Sequence, residues 1–134
     1  MNDRTHTIEH ALEIARQARE RAYAPYSGFR VGAAIKARGH EQIYGGCNVE
    51  NASYGATICA ERGAVMSMVA DMGHAELDFV LVVTDADPLA VPCAICLQVL
   101  AQFSSPRTEV LIANLDEVRE TYTMPDLLPH PFQF

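Results

Sequence analysis

At 134 residues, 49% of them hydrophobic, the chain has enough apolar material for one compact domain, and no apolar run approaches the roughly 18 residues of a membrane helix. Ten Lys+Arg against 17 Asp+Glu give a formal net charge of −7; Lys36 is the single lysine and the arginines are scattered, which argues against nucleic acid as a partner. The polar start, Met1 to Thr7, lacks the apolar segment of a secretory leader, so no membrane partner and a cytoplasmic location are expected.

From Thr7 to about Tyr23, apolar residues recur at three- and four-residue intervals (Ile8, Ala11, Leu12, Ala15, Ala18, Ala22), the stripe of an amphipathic helix. Pro25 and Gly28 then break the pattern. Phe29 to Ala37 reads as a strand, Gly39-His40 as a turn and Gln42 to Asn48 as its hairpin partner. Asn51 to Thr57 is loop-like. A second helix is expected from about Ile58 to Met72, with Cys59, Gly63, Met66 and Ala70 inward and Gly73 as its C-cap. Leu77 to Thr84 is almost continuously apolar, as in a strand covered on both faces. Asp85 to Val91 is a polar loop, and Pro92 starts a third helix that runs to about Phe103. Glu109 to Asn114 is another buried strand, and Glu120 to Thr123 a short last one. The order α-β-β-α-β-α-β-β predicts a single α/β domain over 1–134, one mixed sheet with helices on both faces.

Cys59-Ala60-Glu61 precedes Pro92-Cys93-Ala94-Ile95-Cys96 across that apolar strand. A Cys-x-x-Cys pair offers two sulfurs to one cation, and Cys59 completes three corners of a tetrahedron. Structural zinc closes the fourth corner with a protein ligand, whereas catalytic zinc leaves it to water. Neither Cys47 nor any of the five histidines is spaced to close it, and reduced thiols suit a cytosolic chain better than two disulfides. Both cysteine motifs fall at strand-to-helix junctions, where helix N-termini favour thiolates. Glu61 lies about 200° round the helix from Cys59, which suits a pocket wall and proton carrier more than a ligand; taken alone it is a first-turn glutamate favoured by the dipole. Arg62 either offsets thiolate charge or is solvated. Asn48 and Glu50, two residues apart, present one face and suit a diol; singly, they are a turn-capping Asn and a solvated Glu. Alone, Phe29 reads as core and Tyr54 as a surface aromatic.

The run Cys47-Asn48-Val49-Glu50-Asn51-Ala52-Ser53-Tyr54-Gly55-Ala56-Thr57-Ile58-Cys59-Ala60-Glu61-Arg62 strongly resembles the small zinc-dependent cytidine deaminases. Tyr26-Ser27-x-Phe29-x-Val31-Gly32-Ala33-Ala34, the Pro92-Cys93-x-x-Cys96 pair, Gln98-Val99 and Leu127-Leu128-Pro129 extend the likeness over most of the chain. The resemblance implies a three-layer α-β-α fold with a five-stranded mixed sheet. It implies one zinc per chain on Cys59, Cys93 and Cys96, with Glu61 shuttling protons while hydroxide attacks C4 of the pyrimidine and ammonia leaves. It further implies Asn48 and Glu50 at the ribose 3′-hydroxyl, Phe29 packing on the base and the Ala60 backbone contacting it. Tyr54 and Phe132 would serve sites shared between subunits of a homotetramer. The substrate implied is a nucleoside, cytidine or 2′-deoxycytidine, in pyrimidine salvage.

Two positions depart from the family's Pro-Cys-Gly-x-Cys-Arg-Gln run: Ala94 replaces glycine, and Leu97 replaces an arginine that helps neutralise the thiolates. They leave that compensation to Arg62. They also raise an alternative, a slower or altered site acting on N4-substituted cytidines or blasticidin-like pyrimidines.

Overall fold

The computed structural model describes residues 3–134. Ten elements follow one another: helix α1 (Asp3–Glu20), strands β1 (Gly32–Ala37) and β2 (Ile43–Cys47), a short 3-10 turn (Tyr54–Ala56), helix α2 (Ala60–Met72), strand β3 (Leu77–Val83), helix α3 (Ala94–Ala101), strands β4 (Glu109–Ala113) and β5 (Val118–Thr123), and helix α4 (Met124–Leu127). The strands form one mixed sheet in the order β2-β1-β3-β4-β5, in which only β3 and β4 are parallel neighbours.

Alternation along the central strands sorts their side chains into two cores. Phe79, Leu81 and Val83 of β3 pack with Ala11, Leu12 and Ala15 of α1 on one face. Val80 and Val82 pack with Ala64, Val65 and Met68 of α2 and with Leu97 and Leu100 of α3 on the other. Three layers result, as the resemblance implies. Among the described residues, no helix is long and apolar enough to cross a membrane.

The topology brings the cysteine motifs together. β2 and β3 each run antiparallel to β1, so they point the same way. The helices that follow them, α2 and α3, therefore begin at the same end of the sheet and share one face. Gly46 sets how closely α2 lies on β2: a Cβ there would stand 2.4 Å from the Ala60 carbonyl oxygen and 2.6 Å from the Ala64 nitrogen. Gly46→Ala is expected to lose about 3 kcal/mol of stability, as over-packing against backbone does, and to lower zinc content. Denaturant melts and metal analysis check this. Gly55→Ala, with nothing within 4 Å of the added Cβ, serves as the neutral comparison.

Several boundaries differ from the expected ones for identifiable reasons. Helix α1 starts at Asp3 rather than Thr7 and stops at Glu20. Phe29 to Val31 stay outside β1 because side chains take their backbone groups: Ser27 Oγ accepts the Phe29 N–H, and Asn48 Oδ1 accepts the Val31 N–H. Ile58 pairs with Val49 in an isolated bridge, so α2 begins at Ala60 with Cys59 as an extended N-cap. The expected inward face of α2 is corrected accordingly. Met66 and Ala70 are exposed and Gly63 half-buried, while Ala60, Glu61, Ala64, Val65 and Met68 face the sheet. Helix α3 begins at Ala94 rather than Pro92 and ends at Ala101, and β5 starts two residues before the expected Glu120. Helix α4 was not expected, although Thr123 and Asp126 form a capping box around Pro125.

Candidate active site and metal centre

Cys59 and Cys93 are the N-caps of α2 and α3, and Cys96 lies in the first turn of α3. Their sulfurs lie within 4.8 Å of one another. Three corners of a zinc tetrahedron with 2.3 Å bonds are about 3.8 Å apart, so modest closure seats the ion. Among the described residues no fourth His, Cys, Asp or Glu joins this group, which leaves the open position of a catalytic site. All four cysteines are free, and Cys47 stands apart from the cluster.

The charges around the sulfurs call for a cation. The Cys96 thiol, donating to Cys59, and the Arg62 guanidinium draw Cys59 down to about 5. Cys96 is pushed up, first by that hydrogen bond, then by burial and by the Glu61 charge. A bound dication would offset thiolate charge on both sulfurs. Arg62 stays close by, donating from Nη2 to the Thr57 carbonyl at 3.2 Å and to Cys59 Sγ at 3.5 Å. The donor set and its electrostatics fit zinc.

Glu61 follows Cys59 by two residues and is only 4% exposed. Burial, with the Cys59 thiolate adding to it, pushes its carboxyl up to about 7. A buried acid with that value can both take and return a proton near neutral pH. Glu61 lines a cavity of about 230 Å³ together with Cys59, Ala60, Cys93, Phe29 and Asn48. Glu50, Ser27 and Thr57 line its other end. There it adjoins a second cavity of about 350 Å³ that Tyr26 and Tyr54 wall. Among the described residues, no lysine or arginine lines either one.

Asn48 and Glu50 do face one side, and both also staple the preceding loop. The Asn48 amide donates to the Phe29 carbonyl at 2.8 Å and accepts from the Val31 N–H at 2.9 Å, which holds Phe29 at the cavity wall. Glu50 Oε1 accepts the Tyr26 and Ser27 N–H groups at 2.9 and 3.1 Å, and Oε2 accepts the Ser27 hydroxyl. The Ser27 hydroxyl, then the two amides, hold the Glu50 carboxyl below the usual carboxylate range.

Two expected site residues lie away from the three-cysteine cluster. Tyr54 is 80% exposed and lines only the second cavity. Phe132 is outside both; Gln98 holds its backbone through two 3.0 Å hydrogen bonds, while its ring is exposed and meets Phe134 edge-on at 5.3 Å. Ala94 and Leu97 do not line the cavity either: Ala94 is exposed, and Leu97 is buried in the core beside α2. Neither departure from the family run therefore presents a side chain to the cavity wall. Val31, Val82, Thr84, Ala90 and Val91 complete that wall. Nothing in the sequence singles out the last four beyond their place at the end of a buried strand and in the loop after it.

Comparison with known proteins places this constellation among relatives. Residues 5–112 match the family model described as the cytidine and deoxycytidylate deaminase zinc-binding region. The cytidine deaminase of Sporosarcina psychrophila is 41% identical over 125 residues, covering 93% of this chain and 90% of the relative. Among solved structures, the cytidine deaminase of Burkholderia pseudomallei superposes with a TM-score of 0.85 at 39% identity, covering 98% of this chain and 100% of the other. The Mycobacterium tuberculosis cytidine deaminase gives a TM-score of 0.80 at 33% identity, covering 95% and 98%.

Proposed function

This chain belongs to the zinc-binding cytidine and deoxycytidylate deaminases, and we propose that it hydrolyses cytidine and 2′-deoxycytidine to the uridine forms and ammonia. The observation that carries the reading is the three-cysteine cluster at two helix starts, with a buried carboxylate in the same cavity. When bound there, zinc supplies the Lewis acidity that makes a water nucleophilic at neutral pH. Glu61 takes the proton released as the C4–O bond forms and returns it to the departing amine as the C4–N bond breaks, so that ammonia leaves. Phe29 and the Ala60 backbone are read as the walls that hold the ring, and Arg62 as partial compensation for the thiolates.

Hydrogen-bond capacity supports the sugar assignment. Glu50 has about four acceptor sites, three of them taken by Tyr26 and Ser27. The Asn48 amide keeps one donor free. One acceptor and one donor match a single hydroxyl, which we assign as the 3′-hydroxyl. The 2′-position then goes unread. The kcat/KM values of cytidine and deoxycytidine are expected to agree within about threefold, since no extra hydrogen bond separates them. Their 5′-phosphates should fall at least about 10²-fold lower, because the cavity offers Glu50 and no cation. Loss of the cytidine absorbance band, with zinc measured on the same sample, tests the reading. Zinc-loaded protein that turns over neither nucleoside refutes it.

We further read the chain as a homotetramer with shared sites, serving pyrimidine salvage in the cytoplasm. The exposed rings of Tyr54 and Phe132 support shared sites, and the four free cysteines suit a reducing compartment. Mass measurement in solution tests the assembly.

A further inference from the structure

Ser27 sits where the two cavities meet and lines both. Its hydroxyl donates its one proton to Glu50 Oε2 and accepts the Phe29 N–H at 3.0 Å. A single oxygen thus ties the carboxylate at one end of the cavity to the backbone of the aromatic wall. The loop does not depend on that oxygen alone, because the Tyr26 and Ser27 N–H groups bind Glu50 Oε1 independently and Asn48 holds Phe29 and Val31.

We propose that Ser27 is a positioning residue that sets sugar specificity: its hydroxyl occupies one acceptor site of Glu50 Oε2, so the carboxylate can take one substrate hydroxyl and not a vicinal pair. The inference rests on the reading of Glu50 as the sugar acceptor. With Ser27 in place, Oε1 is filled by two amides and Oε2 keeps one site. Without the hydroxyl, Oε2 has two sites, and neighbouring 2′- and 3′-hydroxyls could donate to both. The carboxylate also loses the link that fixes its rotation relative to Phe29. Removing one hydroxyl should therefore weaken binding of both nucleosides and affect the ribonucleoside less.

The test compares Ser27→Ala, Ser27→Thr and Glu50→Gln in the zinc-loaded enzyme, with full kinetics on both nucleosides. For Ser27→Ala the KM of deoxycytidine is expected to rise about tenfold with kcat within about twofold, as for a lost binding contact. The cytidine to deoxycytidine ratio of kcat/KM should rise at least about threefold, reflecting one added hydrogen bond. Ser27→Thr keeps the hydroxyl and should keep the wild-type ratio. Glu50→Gln should raise both KM values and leave the ratio unchanged. A Ser27→Ala enzyme with the wild-type ratio overturns the proposal, as does a Ser27→Thr enzyme that behaves like Ser27→Ala. If Glu50→Gln leaves both KM values unmoved, the sugar assignment of Glu50 itself falls, and the inference with it.

Discussion

Glu61→Gln is expected to lower kcat for cytidine about 10³-fold, a barrier rise of about 4 kcal/mol, while zinc content and thermal midpoint stay near wild type. The substitution preserves volume at a position only 4% exposed, and it removes the one group in the cavity suited to carry a proton in both directions. Burial gives that group its value of about 7. An exposed glutamate would ionise near its ordinary value and return the proton less readily. Glutamine can still accept and donate hydrogen bonds, so binding of the nucleoside should persist and KM should change little. Retention of more than a tenth of the turnover would show that another group carries the proton. Loss of zinc alongside the turnover would show instead that Glu61 supports the metal centre structurally.

Much of this site is legible in the sequence because its geometry is local. Cys93 and Cys96 are three apart on one helix start, and Glu61 follows Cys59 by two, so the local geometry of an N-cap and the turn after it relates each pair. The β3 segment is read correctly because it is apolar on both faces, which only a central strand covered by two layers requires. Periodicity misplaces the inward face of α2 because it treats Cys59 as helical. It is an extended N-cap, and the true face is anchored by Ala60 and Ala64 against Gly46. That cue is present in the sequence as small residues on both sides, yet the pairing spans 14 residues and depends on how the helix crosses the hairpin. The double use of Asn48 and Glu50 is hidden for the same reason. Their partners lie 17 to 24 residues earlier, and no periodicity links them. Helix α4 is a different kind of miss: its capping box is short-range, but four residues are too few to show a repeating stripe.

The departures at 94 and 97 show how a family pattern and a structure constrain different things. Where the family run has an arginine, Leu97 lies in the core with Val65, Met68 and Leu100. Stability thus gives no reason for a cation at 97. Any consequence must appear in the electrostatics of the metal centre, where Arg62 reaches Cys59 from the neighbouring helix.

Cys93→Ala is expected to abolish retention of zinc and to reduce turnover at least about 10³-fold, since the Lewis acid that activates water goes with the ion. Cys93 is exposed at the N-cap of α3, so its loss leaves no cavity in the core. From the fold itself the substitution forfeits the weak cap, the Cys96 N–H to Cys93 Sγ contact at 3.4 Å, and the thiol contact with Cys59. Any larger loss of stability must come through the ion. With zinc at a thousand times its dissociation constant, binding adds about 4 kcal/mol to the folded state. Wild-type protein stripped by a chelator should therefore melt lower than zinc-loaded protein and recover on re-addition, whereas Cys93→Ala should melt at the stripped value with or without zinc. Cys47→Ala, outside the cluster, should match wild type in zinc content and turnover. Cys93→Ala protein that still holds one zinc per chain would remove Cys93 from the ligand set and leave two sulfurs to account for the site.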